Sequence, residues 1–447
     1  MNKVETAVRT TQDIIGKRSA SKALEEIFNV IHPAAPTTAL SQIFTPESAF
    51  LFLERIGNIA ALLTETDDHA AALAKMDAAI AQAEAIRDEV LAKLFEQVRP
   101  LERSYREVAL FFENAEIRDG VQRPPVEFYI MNADPSAMKS DVDSTTIAAL
   151  DDFVAERNDS FNFRQFICNL VVPGYVPDVV RRRLEDIANQ WGMLLVGDLR
   201  DEANFRRLSD QFRTDGGAYE FLKRPDDKAA SDVVLAGHVK LRDRHWFEAP
   251  EPETDDADLY APGSLLFAGA LARTDRSTGG GLAQGPVGML FGKVRGVERA
   301  RIEPRVSQME MLTMQRQVVT IIRNANNELC FMGSRTQAED PHGLLKFFTA
   351  YRVLRYIERR VRSLLLEVGE QRLTRDLVKN QVVRPLEEML DEEKARGTIL
   401  SYSLDPDYDE ANFAQGKLGL KLEVQPVGPA EVFELEIDTP KFKADKK

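Results

Sequence analysis

The sequence predicts a mixed α/β (α+β) fold. Long helices come first, then a central, mainly parallel sheet with flanking helices, then C-terminal helices and antiparallel terminal strands. Three observations predict it. Apolar residues recur at three- and four-residue steps across residues 67–98. Apolar runs bracket a helical pattern between residues 164 and 199, in the order strand, helix, strand. Residues 417–438 alternate apolar and polar side chains. A chain of 447 residues, 44% hydrophobic, can bury one multilayer core or two to three subdomains.

Residues 1–32 carry weak helical patterns, broken at "HPAAPTTALS". Thr45, Pro46 and Glu47 open a firmer helix, because proline fits a first helical turn. Residues 67–98 form the longest pattern, with Leu73, Met76, Ile80, Ile86, Val90 and Leu94 on its apolar face. Pro100 is expected to interrupt it, and a separate helix from Leu101 to about Glu116 should follow, with Tyr105 on its surface. Such faces serve either core packing or a partner helix.

Past Pro124-Pro125, "VEFYIMNA" (126–133) reads as a strand, and "RQFICNLVVPGY" (164–175) contains a second. "DVVRRRLEDIANQW" (178–191) reads as a helix with Val179, Leu184, Ile187 and Trp191 inward; "GMLLVGDL" (192–199) is again a strand. Continuous apolar strands of this kind suit a sheet buried on both faces. Residues 200–300 show the least periodicity, with an acidic, Pro-rich loop at 249–263 and a Gly-rich one at 273–288. "ELCFMGSRT" (328–336) is a strand ending in a turn.

A helix then covers "YRVLRYIERRVRSLLLEV" (351–368), and another covers residues 373–397, with Gly397 at its C-cap. In the closing strands Leu418, Leu420, Leu422 and Val424 share one face, as do Phe433, Leu435 and Ile437, with "PVGP" between the two.

Charge excludes some functions. There are 72 acidic against 58 basic residues, a formal net charge of −14, which repels phosphate backbones and argues against nucleic acid as a partner. Cys168 and Cys330 lie in apolar runs and read as reduced core thiols, with no disulfide framework or zinc spacing. The N-terminus lacks the apolar core of a signal peptide, and no segment reaches the ~18 apolar residues of a membrane span. A cytoplasmic protein without membrane insertion is expected.

Catalytic signals are weak. The glycines of "GGGLAQG" (279–285) neither follow a clear strand nor open a clear helix. "GPVGMLFGKV" puts Val294 where a phosphate loop needs Ser or Thr. His238 and His245 have no third ligand in view, so no metal or other cofactor is expected. The acids of "GDLRDE" (197–202) sit at a strand end, where α/β enzymes place catalytic groups. No nucleophile accompanies them, and a capped strand end is the simpler reading.

The 351–368 segment holds five arginines. Arg352, Arg355, Arg359 and Arg362 make a stripe separate from the apolar arc of Val353, Ile357, Val361 and Leu364. It is either a solvated or internally paired face, with Glu387, Glu388, Asp391, Glu392 and Glu393 as mates, or a surface that meets opposite charge on another subunit. The terminal strands raise the same issue, since monomers usually hide free strand edges, and strand addition to a neighbour satisfies them.

With these features in order, the sequence resembles a divergent branch of the TssC/VipB family, the large subunit of the contractile sheath of type VI secretion systems. "LERSYREV" resembles the family's Leu-Glu-x-x-Trp-Arg-Gly-Leu segment: Leu101, Glu102 and Arg106 match, Tyr105 replaces Trp, and Glu107 and Val108 depart from Gly-Leu. "FYIMNADPS", "CFMGSRT", "FFTAYRVLRYIERRVRSLL" and the ending "LKLEVQPVGPAEVFELEI" look like later landmarks. The resemblance implies a phage-tail-sheath-like fold and no catalytic activity. It implies pairing with a small sheath subunit (TssB/VipA-like), self-assembly around an Hcp-like inner tube, a baseplate, and an ATPase that dismantles the contracted sheath. Carried over, residues 1–66 form an N-terminal arm. Residues 67–116 dock the small subunit, 124–345 are the central domain, and 346–447 hold the inter-protomer strands at 417–438. The arginine stripe and the 387–393 acids then face the tube or another protomer. A phage-tail or phage-like particle sheath, and a cytosolic enzyme with a site near 192–202, are the alternatives.

Overall fold

The structure, a computed structural model, describes residues 69–119, 121, 126–131, 145–159, 167–212, 219, 222–225, 227–248, 258–277, 281–339, 343–368, 374–407, 413 and 417–429. Two compact units emerge. One takes Met1–Pro100 with His245–Ala249, and the other Leu101–Arg244 with Pro250–Lys447.

Helix α1 spans His69–Ala115 without a break. The expected interruption at Pro100 is therefore corrected. Proline removes one donor and crowds one carbonyl, but the helical pattern resumes at once, and cooperativity carries the helix through a single missing bond. In the first unit Phe95 packs on Phe247 at 4.6 Å between ring centres, and His245 stacks on Phe247.

In the second unit the five-stranded sheet runs β1 (Asn169–Tyr175), β2 (Leu194–Asp198), β3 (Asp232–Ala236), β6 (Val319–Arg323), β7 (Leu329–Met332). The first four pair in parallel, and β6–β7 is antiparallel. Thus the mainly parallel sheet is as expected. Helix α2 (Thr145–Asp159) packs near α3 (Asp178–Gln190) on one face of it. Helix α4 (Ser264–Arg276) covers the opposite face. β2 and β3 are buried at every residue, as strands of a parallel sheet covered on both faces are.

Two expectations within this layer change. Segment 126–131 joins no ladder among the described residues. Val126 and Phe128 pack against Phe111 and Leu265, while Tyr129, Ile130 and Met131 stay exposed. Alternation reports a half-buried surface and not pairing itself. In α3 the buried face is Val180, Leu184, Ile187 and Ala188, so Val179 points outward. Gly192, with φ +61, then turns the chain into β2.

The 200–300 region supplies β3, β4 (Val239–Arg242), β5 (Leu259–Ala261) and α4. α4 lies against the end of α1 across Gly269, where a Cβ would collide with the Phe111 carbonyl oxygen.

The C-terminal layer holds α5 (Phe348–Val368), a helical run from Arg375 through a π turn at Val378–Val383, and α6 (Arg384–Ala395). Pro385 explains the wide turn. Its ring needs the carbonyl four residues back to splay away. Gly397, at φ +75, ends α6 in the left-handed cap that the sequence anticipates. The chain then forms β8 (Ile399–Asp407), which pairs antiparallel with β9 (Gly419–Pro426). The hairpin partner of 418–424 is therefore 399–407, which the sequence reading passed over. The expected second strand, with Phe433, Leu435 and Ile437, lies outside the described residues.

Candidate functional site

The end of β2, where an enzyme would place its groups, is a structural knot. Asp198 is wholly buried and accepts the Gly174 and Ser264 N–H groups, each at 3.0 Å. It ties β1 to β2 and starts α4, and burial raises its pKa. Beside it Asp201 meets Arg301 at 2.8 Å and His238 at 3.6 Å. Arg301 lies over the Tyr260 ring, 3.6 Å from its centre. Arg200, Asp201, His238 and Arg301 are each engaged with a neighbour in the protein. Among the described residues no cluster of three His, Cys, Asp or Glu is placed to hold a metal.

Glu107, buried on α1, has its pKa pushed up to about 7 by desolvation, with Arg103 opposing and Asp198 reinforcing. The folded state thus holds this proton more tightly than the unfolded chain does. The group costs nothing below the unfolded value of 4.5; the cost grows as pH rises through 7. At one pKa unit per ~1.4 kcal/mol, it reaches at most about 3 kcal/mol. Glu107→Gln is expected to flatten that slope and to stabilise the chain at pH 8, read as unfolding midpoints between pH 5 and 8. An unchanged slope would count against this burial cost.

The five arginines of α5 have different fates. Arg352 is fully buried and pairs with Asp275. Arg359 donates to the Trp191 carbonyl at the end of α3, where a cation favours the helix pole. Arg355 lies over the Tyr351 ring and pairs with Glu358 at 2.8 Å. Arg362 is exposed and pairs with Glu358 at 2.5 Å. The link to α6 comes from Arg360, which meets the buried Glu393 at 3.1 Å, with Tyr356 and Arg396 on the same carboxylate. Glu387, Glu388, Asp391 and Glu392 all face solvent. Glu388 pairs with Arg384, Glu392 with Arg396, and Asp391 accepts from the Tyr402 hydroxyl.

Two surfaces stand out. On α1, Leu101 and Tyr105 are 71% and 76% exposed, and Phe112, seven residues on, is 48% exposed. Ile80 and Val98 are also exposed, and Ile86, Val90 and Leu94 are half-buried.

The second surface is the β8–β9 hairpin. Tyr402, Leu404, Leu418, Leu420, Leu422 and Val424 pack one face onto a cluster of Ile357, Val382, Leu386 and Leu390. Ser401, Ser403, Lys421, Glu423 and Gln425 face water. The pair forms a sheet of two strands, so each strand keeps one edge outside any ladder among the described residues.

A family model described as the central domain of the type VI secretion system TssC/VipB matches residues 93–334. A chain of the cryo-EM structure of the anti-feeding prophage (AFP) baseplate is 18% identical, with a TM-score of 0.52, over 74% of this chain and 79% of that one. A chain of the AFP helical sheath in its contracted state is 19% identical, with a TM-score of 0.49, over 66% of this chain and 74% of that one. No curated protein matches.

Proposed function

Since this chain belongs to the TssC/VipB family of type VI secretion and is a contractile-sheath subunit, we propose that it is the large subunit of a two-component sheath. It pairs with a small TssB/VipA-like subunit through α1, using Leu73, Met76, Ile80, Ile86, Val90, Leu94, Leu101 and Tyr105. The heterodimers stack in the cytoplasm around an Hcp-like tube on a baseplate, and an ATPase recycles the spent sheath. It is not an enzyme; the engaged acids at the end of β2 support that reading.

The observation that carries the proposal is the hairpin. One face is fixed to the C-terminal helices, and among the described residues both edges lie outside any ladder. Strand addition there is directional and register-specific, and each backbone bond adds about 1 kcal/mol net. Residues 417–438 supply the exchanged strands, with Leu418, Leu420, Leu422 and Val424 on the docked part and Phe433, Leu435 and Ile437 on the lent part. Copies linked head to tail in this way make a helical array, and strands that stay paired let it shorten between two packings without coming apart. The exposed charges Arg362, Glu387, Glu388, Asp391 and Glu392 then set register against the tube or the next protomer. Arg352, Arg355 and Arg359 serve the chain's own interior.

Truncation after Pro429 tests this, because it leaves β9 in place. Co-expressed with the products of its flanking genes, the shortened chain is expected to fold and keep its partner but to form no tubes in negative-stain images. Normal tubes from it would refute strand exchange by 431–438. Tubes from the full chain alone would refute pairing with a small subunit and favour a one-subunit sheath.

A further inference from the structure

Helix α1 ends in a socket. The carbonyls of Asn114, Ala115 and Glu116 each accept from a different arginine: Arg273 at 2.9 Å, Arg276 at 2.6 Å and Arg295 at 2.7 Å. Carbonyls at a helix end have no partner within the helix, and positive charge there opposes the negative pole.

The grip extends further. Asn114 is fully buried; its Nδ2 donates to the Leu110 and Arg295 carbonyls, and its Oδ1 accepts the Arg295 N–H at 2.9 Å. Arg273 also donates to the carbonyls of Phe291 at 3.0 Å and Lys293 at 2.6 Å, so it joins the helix end to the strip beside β7. Gly296, at φ +77, takes a backbone conformation that residues with a side chain rarely adopt, and it lies against the Leu110 and Glu113 side chains. Glu102 provides a second hold, accepting from Arg242 at 2.9 and 2.7 Å.

These contacts exceed what ending a helix requires. Helices commonly stop on one glycine or one cap, whereas here three guanidinium groups sit on three successive carbonyls. The fixed end belongs to the same helix that turns Leu101, Tyr105 and Phe112 outward. A rigid seat under an exposed apolar face suits a contact that has to transmit displacement. If the end were loose, a shift at that face would dissipate as local unfolding.

We propose that Arg273, Arg276 and Arg295 are positioning residues that hold the exposed face of α1 in register with the sheath body, so that partner binding and tube formation are coupled through this socket. The inference rests on the reading of α1 as the partner-docking helix.

The test compares Arg276→Ala/Arg295→Ala with Arg276→Lys/Arg295→Lys in the full chain, co-expressed with its flanking gene products. The alanine pair is expected to keep the partner through purification, to exchange the amides of 112–116 at least about tenfold faster, and to form no tubes. The lysine pair, still able to donate to both carbonyls, restores tubes. Tubes of normal length from the alanine pair overturn the proposal, as does a lysine pair that fails alongside it. Should the alanine pair fail to fold, Arg295→Ala alone is read in the same way, and normal tubes from it are equally fatal. Absence of tubes from the unmodified chain with every neighbour would instead count against the sheath reading itself.

Discussion

Asp232→Ala is expected to destabilise the central sheet by about 3–5 kcal/mol, the cost of leaving a buried charge without its partner. The partner is Arg181, 2% exposed, whose Nε donates to Asp232 Oδ2 at 2.8 Å and whose Nη2 meets Oδ1. The guanidinium packs close against β2 at Gly197, which has no side chain; a Cβ there would sit 2.8 Å from Arg181 Nη1. Glu185, one turn on, accepts from Arg224 Nη2 with both carboxylate oxygens, each at 2.6 Å. Removing one carboxylate therefore leaves a guanidinium that can neither reach water nor give up its proton. Replacing both members with apolar residues, Arg181→Met/Asp232→Leu, is expected to be far milder, because the desolvation cost goes with the pair. Urea unfolding of the three chains decides the matter. A single variant within about 1 kcal/mol of the parent would show that the pair is not buried as described.

Gly269→Leu is the second large effect, expected at about 3 kcal/mol or more. Here the obstacle is backbone. A Cβ on Gly269 meets the Phe111 carbonyl group, with its carbon at 3.2 Å and the Asn114 Cβ at 3.0 Å. A rotamer change cannot clear a main-chain atom, so α4 and the end of α1 must separate. That separation strips Phe111, Ala115, Leu265 and Ala268 from their shared cluster and loosens the socket. The expected readouts are a lower unfolding midpoint and faster amide exchange at 110–116. If the midpoint holds, the two helices do not approach this closely.

Much of the sheet was legible because its strands carry their own signal. "LLVG" is apolar up to the buried Asp198 that ends the strand, because parallel strands are covered on both sides. β3 escaped notice in "SDVVLAGH", since Asp232 interrupts the apolar run and its buried mate, Arg181, lies 51 residues away. β8 escaped for a related reason. "ILSYSLDPD" alternates, but serine, aspartate and proline are weak strand formers, and only pairing with β9 at Tyr402↔Val424 and Leu404↔Leu422 gives its inward residues a core. The surfaces were partly legible. An apolar stripe on α1 shows in the spacing of Leu101 and Tyr105, but its seat does not, because Arg273, Arg276 and Arg295 are about 160–180 residues from the carbonyls they hold.

By itself the sequence determined the periodicities: a long amphipathic helix, buried parallel strands and an alternating segment near the end. Those follow from 3.6 and 2 residues per repeat, which neighbouring positions alone can specify. Only the tertiary structure decided where the charges went. Arg352 turned to Asp275, Arg359 to the end of α3 and Arg360 to Glu393, over separations of 77, 168 and 33 residues. A charged side chain carries no record of its partner in its own neighbourhood. The fold chooses that partner, because a buried ion must be paired, and which atoms lie within reach is settled only when the layers pack.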